Sequence, residues 1–92
     1  MRTHDRILRG MMMREQIILV ADTFGAASGI GRKRVSTIVL NRGSKLDDIA
    51  AGGDLMTGVF ERALLWFSEN WPDDATWPSE VPRPVYHREA AE

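Results

Sequence analysis

The sequence predicts an all-α fold, a four-helix domain followed by an extended tail rich in tryptophan and proline. Apolar residues recur at three- and four-residue steps through Ile17, Val20, Ala21 and Phe24, the period of one helix face. The same period returns through Met56, Val59, Phe60, Ala63, Leu64, Phe67 and Trp71. Glycine breaks fall between the apolar stretches, at Ser28-Gly29, Gly43 and Gly52-Gly53. All four prolines lie between Pro72 and Pro84, where they bar a helix interior.

Each element follows in order. Residues 1–10 read as a loose basic arm ending in Gly10, before three methionines that offer alternative translation starts. The first helix spans about 12–27, with Ile18 and Leu19 widening its apolar stripe. The second spans 31–41, burying Val35, Ile38 and Val39, with Gly43 as the left-handed stop. Ser44 is the expected N-cap of a short third helix over 44–51, and Asp47 suits the positive end of its dipole. The fourth helix, capped by Asp54 or Thr57, runs to Trp71 and is stopped by Pro72. The tail, 72–92, is read as extended, polyproline-like chain fraying over 85–92. Phe60, Leu64, Phe67, Trp71 and Trp77 are expected to pack the tail on the helical body or on a dimer partner.

Composition narrows the function classes. Ninety-two residues suffice for one domain, and dimerisation would bury surface that so small a chain leaves wet. Cysteine is absent, so disulfides and thiolate metal sites are excluded. The two histidines, His4 and His87, stand at opposite ends, so no metal or other cofactor is expected. The apolar run from Gln16 to Ala21 is far too short for a bilayer span, and Arg14 and Glu15 break any secretory pattern. The expected location is cytoplasmic, with no membrane partner. No nucleophile triad or converging acid–base pair is visible, so no enzymatic activity is expected.

The formal net charge of −1 conceals a polarised chain. Residues 1–45 carry nine basic and three acidic groups, a net +6, whereas 46–92 carry three basic and ten acidic, a net −7. Such asymmetry suggests a basic face for a polyanion on an acidic body.

The glycines at 25, 29 and 31 superficially match the nucleotide-binding turn of short-chain dehydrogenases. Spacing rules it out. A βαβ unit needs about 30 residues and a crossover helix, but the next strand-like run, Thr37 to Leu40, begins six residues after Gly31. Phe24 also stands where that family places threonine, and the single tyrosine, Tyr86, lies in the tail.

The same residues fit a helix-turn-helix. Gly29 can take the positive φ of the turn, Ile30 can tuck beneath both helices, and Gly25 permits a close crossing. Val35 and Ile38 fall at the two buried positions expected six and nine residues after the turn glycine. At about 100° per residue, a helix burying Val35, Ile38 and Val39 turns Lys33, Ser36, Thr37 and Leu40 outward, flanked by Arg32 and Arg34. Recognition helices present their first turns to base edges, where Arg, Lys, Ser and Thr can hydrogen-bond. Leu40 could reach a thymine methyl or pack on the third helix. Arg42 and Lys45, with the arm arginines, suit phosphates. Asn41, at the helix end, completes the expected DNA-binding set.

The stretch from Val20 to Pro84 resembles small helix-turn-helix transcriptional regulators of phages and integrated mobile elements in proteobacteria. The marks are Ala63-Leu64-Leu65-Trp66-Phe67-Ser68, Asn70-Trp71-Pro72, Trp77-Pro78 and Val81-Pro82-Arg83-Pro84. The resemblance implies a dimeric transcriptional regulator acting on a partly palindromic operator. The expected function is therefore sequence-specific binding of double-stranded DNA, as a repressor or autoregulator reading the major groove with helix 31–41. The alternatives are a protein-binding antiactivator or adaptor on the same fold, working with a regulatory protein partner, and an architectural excision factor.

Overall fold

Helix α1, Met13–Ser28, touches each of the other helices of the fold. The structure is a computed structural model, and it describes residues 11–84. The expected basic arm, 1–10, and the frayed end, 85–92, lie outside the described residues. Within them there are four helices and no strand, in agreement with the all-α expectation. None of these helices is long and apolar enough to cross a membrane.

The apolar period of α1 becomes its buried face: Ile17, Val20, Ala21 and Phe24 all lie in the core. Glu15 accepts the Met12 N–H at 3.1 Å, filling one orphan donor of the first turn. At the other end Gly29 adopts φ 74° and the Ile30 N–H returns to the Gly25 carbonyl at 2.9 Å, which closes the helix as predicted. Ile30 then packs half-buried against the core. Gly25 is buried at the crossing, where a Cβ would meet the Ile30 carbonyl oxygen at 2.7 Å and Val35 Cγ2 at 3.3 Å.

Helix α2 spans Arg32–Leu40. Its left-handed stop is Asn41, at φ 63°, and not Gly43 as the sequence suggested. Asparagine is among the few residues that tolerate this conformation, because its short side chain can bond locally. Gly43 serves closeness instead: a Cβ there would meet Lys33 Cγ at 2.9 Å and Thr37 Oγ1 at 3.2 Å.

Helix α3 spans Lys45–Ala50 and buries Leu46 and Ile49. Ser44 precedes it as expected but is already helical, at φ −89° and ψ −4°, and makes no side-chain cap bond. The Leu46 N–H is satisfied from outside the helix, by the Ser36 hydroxyl at 3.0 Å.

Helix α4 spans Thr57–Glu69. Its N-cap residue is Met56, in extended conformation, so neither Asp54 nor Thr57 caps it. Ala63, Leu64 and Phe67 form its buried face, while Met56, expected on that face, is 73% exposed. The helix ends before Trp71, where Asn70 Nδ2 donates to the Trp66 carbonyl at 2.9 Å.

The chain after α4 is not the continuously extended, polyproline-like chain expected. It folds into two turns, closed by Ala75 N–H to the Pro72 carbonyl and Val81 N–H to the Pro78 carbonyl, both at 3.2 Å. Each turn also satisfies a tryptophan: the Trp71 indole donates to the Ala75 carbonyl at 2.9 Å and the Trp77 indole to the Val81 carbonyl at 2.7 Å. The two rings sit 4.8 Å apart, and Trp71 is tilted against Phe24 at 6.0 Å. The turns thus let amphipathic rings pack inward while their N–H groups stay bonded. Arg83 closes the segment, stacking 5.1 Å over Trp77 and donating to the Ser68 hydroxyl and carbonyl.

Candidate functional site

Helix α2 connects α1 to α3 along the chain and packs against both. Val35 and Ser36 are fully buried, while Val39 and Leu40 are half-buried. Ser36 donates to the Arg42 carbonyl and accepts from the Leu46 N–H, so one hydroxyl fastens both sides of the α2–α3 turn. This corrects the expectation that Ser36 faces a partner. The buried face is displaced by somewhat less than the roughly 100° of one residue position, since Val35 and Val39 stay inside. Leu40 rotates inward against the core, and Ile38, expected inside, emerges 43% exposed. The outward face is therefore Lys33, Arg34, Thr37, Ile38 and Asn41.

Arg32 stands apart from that face. Its guanidinium donates through Nε and Nη2 to the two carboxylate oxygens of Asp22, at 3.0 and 2.7 Å, and through Nη1 to Asp47 at 3.1 Å. These bonds connect α2 to both α1 and α3. The bond to Asp22 foremost, opposed by partial burial and helped by Asp47, raises the pKa of Arg32 above its ordinary value. The fork geometry of arginine suits such a bidentate carboxylate contact. Arg32 is thus a fastening between helices, where the sequence suggested a contact to bases.

Lys33 and Arg34 are exposed, and no ion pair among the described residues involves either. The Lys33 stem lies against Gly43, beside Thr37, whose hydroxyl donates to the Lys33 carbonyl at 3.1 Å. Arg42 and Lys45 continue the basic surface past the end of α2. Arg42 pairs with Asp48 at 3.0 Å with both side chains more than half exposed, and Lys45 Nζ donates to the Asp54 carbonyl at 3.3 Å. Of the eight residues expected to meet DNA, the fold thus gathers Lys33, Arg34, Thr37 and Asn41 on one outward face. Arg42 and Lys45 flank it, and Arg32 and Ser36 are withdrawn into the helix junctions.

The aromatic set assigned to tail or dimer packing divides in a similar way. Leu64, Phe67 and Trp71 are buried in the chain's own core; Phe67 and Trp71 lie against Phe24 at 5.4 and 6.0 Å. Phe60 and Trp77 are half-buried. A concavity of about 450 Å³ opens between α1 and α3 and is lined by Arg14, Glu15, Ile18, Leu19, Asp22 and Ile49, among others.

Ile38 was missed by sequence reasoning. Two apolar phases of α2 are compatible with its residues, one through Ile38 and one through Leu40. The deciding signal is the hydroxyl of Ser36, whose partners lie six and ten residues further along the chain.

Comparison with known protein families, with curated proteins and with solved structures found no match.

Proposed function

We propose that this protein is a sequence-specific DNA-binding regulator in which α1, the Gly29-Ile30-Gly31 turn and α2 act as a helix-turn-helix and α2 enters the major groove. The outward face of α2 carries this reading: Lys33, Arg34 and Thr37 are exposed on the helix and Asn41 is exposed at its end, with both cations free of carboxylates among the described residues. Lys and Arg can reach guanine, Asn can bond adenine in two places, and Thr can donate or accept. Arg42 and Lys45, beyond the helix end, suit phosphates, which fix register without reading sequence. The net +6 of residues 1–45 favours a polyanionic partner. Regulation by occlusion of a promoter, as a repressor or autoregulator, needs only this binding. Two copies on a partly two-fold operator would double the contact, and the exposed Met56 beside half-buried Leu55, Val59 and Phe60 offers apolar surface for self-association.

Fluorescence anisotropy with a duplex from upstream of the protein's own gene, against scrambled competitor at two salt concentrations, tests the reading. Competitor-resistant binding that weakens with salt supports it. Binding that any duplex removes equally, or none, overturns it for that operator, and selection from a random duplex pool then decides the matter for every sequence.

One observation favours a second reading, a protein-binding adaptor. The concavity between α1 and α3 combines Ile18, Leu19 and Ile49 with the charged groups of Arg14 and Glu15, while Asp22 is already bonded to Arg32, an apolar surface with a mixed-charge edge suited to an amphipathic segment of another protein. On that reading the alanine variants of Lys33 and Arg34 keep full function.

A further inference from the structure

Ile38 is the one large apolar side chain that is exposed on the outward face of α2. Its neighbour there is Arg34, one turn before it, with Thr37 exposed about 100° round the helix and Asn41 exposed just past the helix end. A β-branched residue has a nearly fixed χ1 in a helix, so this side chain presents a stiff apolar knob and not a mobile one. In the fold itself the position has no packing role that requires a branched hydrophobe. The inward phase of α2 is already filled by Val35, Val39 and Leu40, with Ser36 bonded between them.

An apolar knob set among hydrogen-bonding side chains matches one feature of the major groove. Base edges there offer donors and acceptors, and thymine alone adds an apolar group, its C5-methyl. Resting on the reading of α2 as the helix that enters the groove, we infer that Ile38 is a specificity-determining residue that packs on a thymine methyl. Arg34 or Thr37 bonds an adjacent base within the same half-site. Spacing supports the pairing. Arg34 and Ile38 are four residues apart on one helix face, about 6 Å along the axis, a distance spanned by roughly two base-pair steps of about 3.4 Å each.

The contact makes a demand that can be isolated chemically. Replacing one thymine by deoxyuridine removes only the methyl and leaves every hydrogen-bonding group in place. Selection of bound sequences from a random duplex pool with the full chain supplies the operator, and each thymine in it is then replaced singly by deoxyuridine. The expected result is one position per half-site at which the unaltered protein loses about three- to fivefold in affinity, the size of one buried methyl contact. Ile38→Ala should lose about five- to tenfold on the thymine duplex and nothing further on the deoxyuridine duplex. Ile38→Val should fall between, because it keeps the branched carbon. The salt dependence of binding should be the same for all three proteins, since no charge changes.

A selected operator in which no deoxyuridine replacement weakens binding overturns the inference while leaving α2 as the reading helix. So does an Ile38→Ala protein that remains as sensitive to deoxyuridine as the original. A pool from which no sequence is enriched overturns the DNA-reading function itself, and the inference with it. Ile38→Ala is expected to fold normally, because the position is exposed and alanine favours the helix, so a binding loss reports on the contact and not on the fold.

Discussion

The hydroxyl of Ser36 accepts the backbone N–H of Leu46, ten residues away and 3.0 Å distant, in the buried interior between α2 and α3. It donates in turn to the Arg42 carbonyl, so a single small side chain satisfies backbone groups on either side of one turn. Ser36→Ala removes both partners at once and leaves a buried N–H without an acceptor. The expected loss of stability is about 1–3 kcal/mol, measured by urea denaturation. Ser36→Thr, which keeps the hydroxyl but adds a methyl at a fully buried site, should also destabilise. An unchanged midpoint for Ser36→Ala would show that water replaces the hydroxyl.

Arg32 and Lys33 are adjacent in sequence, yet their substitutions should fail in opposite ways. Arg32→Ala cuts the ties to Asp22 and Asp47 and should lower stability by about 1 kcal/mol, a figure reduced by the solvent exposure of all three side chains. Arg32→Lys should recover only part of that, having no fork to place on two oxygens. Lys33→Ala should leave the melting temperature unchanged and reduce DNA affinity, with the salt slope falling by about one if the contact is to a phosphate. Melting curves and salt titrations of the three variants separate the roles.

The crossing of α1 and α2 depends on two glycines for different reasons. Gly25→Ala places a Cβ 2.7 Å from the Ile30 carbonyl oxygen, a backbone atom that cannot step aside cheaply. The expected cost is about 1–3 kcal/mol, as for other overpacked sites. Gly29→Ala meets open space but holds φ at 74°, so its cost is conformational, about 1–2 kcal/mol. Gly29→Asn should be milder than Gly29→Ala, whereas Gly25→Asn should be worse than Gly25→Ala. Thermal unfolding of the four variants tests the distinction.

Trp71 is 9% exposed and is enclosed by Phe24 and Trp77, with its indole N–H bonded to Ala75. Trp71→Ala should destabilise the fold by about 3–5 kcal/mol. Trp71→Phe should lose less, since it keeps the ring while dropping the N–H. Arg83→Ala, at an exposed position over Trp77, should cost about 0.5–1 kcal/mol through the lost cation–π contact. Denaturant titrations of the three should rank them in that order.

The helices were legible in the sequence because their signals are local. The period through Ile17, Val20, Ala21 and Phe24, and the glycine at 29, act within a few residues, and both appear in the fold as read. The errors arose where a distant partner decides. The rotation of α2 turns on Ser36 and Leu46, and the role of Arg32 turns on Asp22 and Asp47, ten and fifteen residues away. No periodicity records such contacts. The tail was misread for another reason: its prolines exclude a helix, but the turns they form depend on where the Trp71 and Trp77 indoles find carbonyls. On the candidate interface, the exposure of Lys33 and Arg34 was legible, whereas the withdrawal of Arg32 and the outward position of Ile38 were not.

The absence of a side chain at Gly43 lets the stem of Lys33 lie down against the backbone, with Cγ held where any Cβ would collide. A lysine on an open helix surface keeps most of its rotamers until a partner fixes them, and that ordering weakens the association by about 0.5–1.5 kcal/mol per immobilised side chain. Here much of the restriction is imposed when the chain folds. The first methylenes of the stem therefore have less freedom to lose when a ligand is met, and a glycine ten residues along the chain helps set the direction in which the side chain leaves the helix.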